Sequence, residues 1–154
     1  MKLFPLIAII VSLSLDAQSQ ALPDFSFTST KKENITPARL PANKPIIVCY
    51  FDPFCEKCIT QATKIRDKAA KFSNSTMVYV SWAELEDMEA FRKKYFTGMQ
   101  NLFMCKDTEY KFDSWFGYSE VPAIYIYNKA RTKTAAFTSV VSVEEILVAC
   151  TKTP

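Results

Sequence analysis

The chain has 154 residues, 49% of them hydrophobic and 23% charged, with a formal net charge of +3. That balance fits one globular domain with a sizeable core, and a charge so small, with no basic stripe, gives no footing for nucleic acid or an anionic membrane. Histidine is absent, which excludes Ser-His-Asp and Cys-His nucleophile systems and any zinc or copper site built on imidazole.

The first 21 residues read as a secretory signal. Lys2 supplies the positive start and Leu3 to Leu15 is mostly apolar. Small residues in Ala17-Gln18-Ser19 and Ser19-Gln20-Ala21 offer cleavage after Ser19 or after Ala21. The apolar run is shorter than the roughly 20 residues a spanning helix needs, which favours cleavage over a retained anchor. No cysteine near that zone offers a lipid attachment point. The mature domain, residues 22–154, is expected to be periplasmic or secreted.

Leu22 to Thr28 alternates and predicts an edge strand, and Lys31 to Pro45 is a polar loop marked by Pro37, Pro41 and Pro45. Ile46 to Phe51 has the continuous hydrophobicity of a strand buried on both faces. After Asp52-Pro53-Phe54, apolar Ile59, Ala62, Ile65, Ala69 and Phe72 recur at helical spacing. Thr76 to Trp82 predicts the next strand. Ser81 and Glu84 have capping-box spacing and open a second helix through Met88, Phe91 and Tyr95 that stops at Gly98.

Leu102 to Cys105 is a short strand, and Thr108 to Phe116 a helix ended by Gly117. Ile124 to Tyr127 is a strand, paired with Thr134 to Val140 across a turn at Asn128 to Arg131. Ser142 and Glu145 give a second capping box for a last helix, Val143 to Cys150. Strands that alternate with helices and close on a hairpin plus helix give an α/β fold, a mixed sheet covered by helices on both faces.

Of the five cysteines, Cys49, Cys105 and Cys150 fall in apolar segments and read as small buried hydrophobes. Cys105 and Cys150 would pair only if their elements meet. Cys55 and Cys58 are different: Cys55-Glu56-Lys57-Cys58 follows a strand and heads a helix. The unpaired N–H groups of a helix N-terminus favour thiolate over thiol, and the spacing allows a local bridge. Glu56 opposes a thiolate and Lys57 favours it, so the helix terminus is the main bias. This arrangement suits thiol–disulfide exchange. A purely structural disulfide ignores the placement at a helix start, and a zinc site lacks the four soft or imidazole ligands it needs. The odd total leaves at least one thiol free, or paired outside the chain.

Taken together, the chain resembles the thioredoxin family. The marks are Phe51-Asp52-Pro53-Phe54-Cys55-Glu56-Lys57-Cys58 and Gly117-Tyr118-Ser119-Glu120-Val121-Pro122-Ala123-Ile124, in a strand–CxxC–helix order that ends in a hairpin. The leader followed by Leu22-Pro23-Asp24-Phe25-Ser26-Phe27 is most similar to the exported TlpA/ResA-type branch. The resemblance implies that Cys55 attacks a substrate disulfide and that Cys58 resolves the mixed disulfide. It implies a cis Pro122 facing the dithiol, a Val121 backbone that pairs with the bound substrate segment, and an apolar rim at Phe54 with Trp82 and Pro122. It implies protein partners with disulfides or thiols, a membrane-linked electron donor and no cofactor. A Glu after the first cysteine also occurs in ResA-type reductases, which tilts the direction toward reduction.

The chain departs from the family in one place that matters. Thioredoxins usually keep a buried carboxylate on the strand before the motif, where this chain has Cys49. Cys58 then needs another base or a water, with Asp52 and Glu56 as the nearby carboxylates. A peroxidase of the peroxiredoxin kind wants Thr where Asp52 stands and usually a lone peroxidatic cysteine. The rival to catalysis is a thioredoxin-fold binding module that holds a partner polypeptide or a metal at the dithiol without turnover.

Overall fold

The apolar run ahead of the dithiol forms β3 (Ile46–Tyr50), and the rest of the sheet is built outward from it. The structure, a computed structural model, describes residues 21–117 and 120–153; the leader segment 1–20 lies outside the described residues. β3 pairs in parallel with β4 (Thr76–Ser81), which pairs in parallel with β5 (Leu102–Lys106). On its other edge β3 runs antiparallel to β6 (Ala123–Tyr127), which closes a hairpin with β7 (Lys133–Phe137). Two short N-terminal strands, β1 (Phe27–Ser29) and β2 (Asn34–Ile35), extend the β5 edge antiparallel, giving the order β2-β1-β5-β4-β3-β6-β7.

Four helices cover this mixed sheet: α1 (Glu56–Asp67), α2 (Leu85–Tyr95), α3 (Phe112–Phe116) and α4 (Val143–Thr151). Successive strand residues point to opposite faces, so the sheet divides the interior into two cores. Ile47, Cys49, Met77 and Tyr79 join Cys58, Ala62 and Ile65 of α1, Met88 and Phe91 of α2, and Ile146 of α4. Ile46, Val48, Val78 and Val80 join Phe25, Phe27, Leu40 and the α3 residues Phe112 and Phe116. The second core is largely aromatic, with the Phe112 ring stacked on Tyr50 at 4.0 Å and on Phe116 at 4.5 Å. Helices therefore lie on both faces, three on the dithiol side and α3 on the other. No described helix is long and apolar enough to cross a membrane.

The differences from expectation have local causes. The first strand covers only Phe27–Ser29 and is second from the edge, because the loop that follows contains β2, which pairs outside it and buries Ile35. Ser81 does not cap α2. Its hydroxyl accepts the Ala83 N–H at 3.1 Å while still in the strand, and Glu84 occupies the N-cap without a side-chain capping bond, its carboxylate accepting from Lys106 instead. α2 ends at Tyr95, three residues before Gly98, whose φ of 85° falls in the turn beyond. The expected capping box at Ser142 and Glu145 is present, each side chain accepting the other's backbone N–H at 3.2 Å.

α3 is shorter than the apolar pattern suggested because Asp107 starts it late. The carboxylate is buried and accepts the N–H groups of Lys111 at 3.0 Å and Phe112 at 2.9 Å, which holds a turn at 108–110 ahead of the helix. Replacing Asp107 with Ala leaves two N–H groups unpartnered at the head of the aromatic core. We expect Asp107→Ala to lose about 2 kcal/mol of stability, read as a lower urea midpoint at unchanged slope.

Candidate active site

β3 ends at the surface in a tight turn, and the turn places the first cysteine. The Cys55 N–H donates to the Asp52 carbonyl at 3.2 Å and the Phe54 N–H to the Asp52 carboxylate at 2.9 Å. Pro53 presets the backbone between them. The chain then enters α1 with Cys55 as the N-cap, its carbonyl accepting the Ile59 N–H at 3.0 Å. The Cys55 side chain makes no capping bond, so its sulfur is not tied up by the N–H groups of the first helical turn.

The two sulfurs have different surroundings. Cys55 is half-buried at the mouth, and its Sγ lies 3.8 Å from the Val121 carbonyl, to which the thiol donates. Cys58 is 2% exposed and its Sγ accepts the Asp52 N–H at 3.5 Å. Burial pushes the Cys58 thiol well above its ordinary range, the Asp52 N–H opposes this, and the adjacent Cys55 thiol adds to the rise. One sulfur is reachable and the other is held back as a thiol.

The Val121–Pro122 peptide bond is cis. Pro122 has no N–H to compete for sulfur, and the fold sets the Val121 carbonyl against Cys55. Of the rim residues named above, Phe54 is 71% exposed, Pro122 is buried and Trp82 leans on Tyr50 with ring centroids 5.2 Å apart. The apolar surface beside Cys55 therefore belongs to Phe54 and the half-buried Val121.

Behind Cys58, no carboxylate takes the place of Cys49. Cys49 is buried, with its thiol pushed up to about 12 by burial, and it stands directly opposite Tyr79 in the β3–β4 register. The Asp52 carboxylate is engaged by the turn, and Glu56 is exposed in the first turn of α1. Two residues near the dithiol carried no sequence signal of function. Gln61, one turn after Cys58 on the buried face of α1, accepts the Val141 N–H through Oε1 at 2.8 Å while its Nε2 has no hydrogen-bond partner among the described residues. Tyr79 read as one more strand aromatic. Cys105 and Cys150 sit in different cores on opposite faces of the sheet and do not meet, and all five cysteines are thiols in this structure.

A family model described as AhpC/TSA family matches residues 19–135. The chain belongs to the AhpC/TSA family. Solved structures agree on the fold. The MTB protein DsbF, in mixed oxidised and reduced forms, is 21% identical over 86% of this chain and 96% of its own, with a TM-score of 0.72. A secreted Mycobacterium tuberculosis disulfide oxidoreductase described as homologous to E. coli DsbE is 21% identical over 82% and 94%, at 0.69. A putative thiol:disulfide interchange protein DsbE from Chlorobium tepidum is 12% identical over 86% and 96%, at 0.70. No curated protein matches the chain. This AhpC/TSA-family chain has the thioredoxin fold.

The difference in exposure gives a direct chemical expectation. With the protein reduced, an uncharged alkylating reagent at pH 8 should label Cys55 about tenfold or more faster than Cys49, Cys58, Cys105 or Cys150. Trypsin cuts after Lys57, so Cys58 leaves in its own peptide, 58–64, and mass spectrometry separates it from Cys55. Equal labelling of both motif cysteines contradicts the assignment. Burial also raises Cys49, Cys105 and Cys150 above their ordinary value of about 9, to about 12, 12 and 11. The unfolded chain then releases these protons first as pH rises. Stability should be flat with respect to these groups below pH 9 and fall above it, read as urea midpoints from pH 7 to 10.5.

Proposed function

We propose that this chain is an exported thiol–disulfide oxidoreductase that exchanges disulfides with cysteines of partner proteins and works as a reductase. Cys55 is the nucleophile and Cys58 the resolving thiol, with Val121 and Phe54 forming the surface on which the substrate segment lies and the cis Pro122 setting the Val121 backbone from beneath. The observation that carries the reading is the unequal pair within one CxxC: a reachable sulfur at a helix start, facing Val121, and a buried one three residues on. The descriptions of the similar structures, a disulfide oxidoreductase and a thiol:disulfide interchange protein, support the same chemistry.

The steps follow from that geometry. The Cys55 thiolate attacks one sulfur of a substrate disulfide, the substrate S–S bond breaks, and the leaving sulfur takes a proton. Cys58 then attacks the Cys55 sulfur of the mixed disulfide. The Cys55–substrate bond breaks, the second substrate sulfur leaves as a thiol, and Cys55–Cys58 closes as a disulfide. Two electrons have passed from the dithiol to the substrate. A membrane-linked dithiol donor would return them by the reverse exchange.

Cys58→Ser removes the second step, so it should accumulate mixed disulfides through Cys55 that a reductant releases, while Cys55→Ser should form none. Partner association that survives Cys55→Ser points instead to a holder that binds without exchange. For direction, the Cys55–Cys58 couple should titrate reversibly near or below about −250 mV, whereas a value near about −120 mV marks a disulfide-forming oxidant.

A further inference from the structure

At the end of the sheet opposite the dithiol, the chain encloses a space that it does not fill. β3 runs between the two: Pro45, just before its first residue, lines this cavity, while Cys55 lies beyond its last. The cavity measures about 540 Å³, within the range of about 300–1,000 Å³ in which pockets take small molecules. Its walls are the segment from Lys71 to Ser75, the β6–β7 turn and the end of α4. Side-chain bonds to backbone hold all three. Asn128 accepts the Ala130 and Thr132 N–H groups at 3.0 and 3.1 Å and donates to the Lys152 carbonyl at 3.1 Å, which ties the turn to the end of α4. Asn101 donates to the Phe72 and Ser75 carbonyls at 2.7 and 2.9 Å and fixes the third wall. The walls are set without an occupant.

The lining combines two chemistries. Pro45, Leu147 and Cys150 supply its apolar part. With them stand Lys71, Lys129 and Lys152, all exposed, and no Asp or Glu lines the cavity. Lys71 meets Glu144 at 3.6 Å, so part of its charge is answered nearby. Lys129 and Lys152 make no ion pair among the described residues. Burial of apolar surface favours an occupant with an apolar body, and two unanswered cations with no facing carboxylate select the sign of its charge. A cation would meet like charge, and a neutral molecule would leave the lysines unused.

We propose that this cavity is a binding site for a small molecule with an apolar body and one anionic head, of the class of a medium-chain carboxylate. The body lies against Pro45, Leu147 and Cys150, and the carboxylate faces Lys129 and Lys152. The site is separate from the dithiol and does not depend on the oxidoreductase reading. Binding is non-covalent. Cys150, 7% exposed, is the single cysteine of the lining, so its thiol reports whether the cavity is filled.

The test titrates decanoate into the reduced protein, below its micelle-forming concentration, and reads binding by calorimetry. One molecule should bind per chain. Decyltrimethylammonium, with the same tail and the opposite charge, should not displace it. Lys129→Glu combined with Lys152→Glu should weaken decanoate by about tenfold or more, in a protein whose near-ultraviolet spectrum shows it folded. Cys150 then locates the site in the unsubstituted protein. The tryptic peptide 134–152 carries it as the sole cysteine, and Cys105 in peptide 95–106 is the control from the other core. With decanoate at about three times its dissociation constant, alkylation of Cys150 should fall about fourfold while that of Cys105 holds. Absence of binding overturns the proposal, as does displacement by decyltrimethylammonium or full affinity in the folded double variant. Binding that leaves Cys150 unprotected places decanoate elsewhere and overturns it as well.

Discussion

The site depends on β3 being paired along both edges, with opposite sense on each. Its parallel partner β4 fixes the strand within the sheet, and its antiparallel partner β6 begins where β3 ends, with Tyr50 opposite Ala123. The residues after β3 and those before β6 therefore arrive at one pole. Cys55 and Val121, 66 positions apart in sequence, meet there at 3.8 Å. A one-residue slip of this ladder would turn every side chain of β6 to the wrong core. The alternating burial of Ile47, Cys49, Ile124 and Ile126 on one face and Ile46, Val48, Ala123 and Tyr125 on the other prevents that slip. Hydrophobic register, rather than any contact between the functional groups, assembles the site.

Once assembled, the two motif cysteines are separated by burial. Cys55 is the N-cap of α1 and Cys58 lies in its first turn, so both stand at the same helix end and position along the helix does not distinguish them. At Cys58 desolvation is the larger effect and leaves the thiol protonated despite the Asp52 N–H. At Cys55 the sulfur stands at the mouth, free of any capping bond. The turn at Asp52–Cys55 decides which cysteine is outside, because it spends the Asp52 carboxylate and carbonyl on the two N–H groups that precede the helix.

Much of this was legible in the sequence where the signal is contiguous. β3 and β6 are unbroken apolar runs, β4 is apolar from Met77 to Val80, and the CxxC heads a helix whose apolar face repeats in register. The second capping box is present because Ser142 lies outside any strand. Ser81 has the same spacing to a Glu, yet it is still the last residue of β4 and bonds Ala83, so spacing alone misled. β2 has only two residues and exists through its pairing with β1, a non-local fact. Gln61 and Tyr79 were illegible for a related reason. Periodicity marks a position as buried, but whether a polar atom there finds a partner depends on what the register brings opposite it.

Cys49 ties these strands together. In the thioredoxin pattern that position carries a carboxylate, which is a charge to be kept inside an apolar core and a proton acceptor for the buried thiol. A thiol in its place removes the charge: burial holds Cys49 and Cys58 protonated and pushes Tyr79 far above its ordinary range. The core avoids the desolvation cost of a buried carboxylate. It also gives up a base. Proton release from these buried groups is thereby confined to the alkaline range.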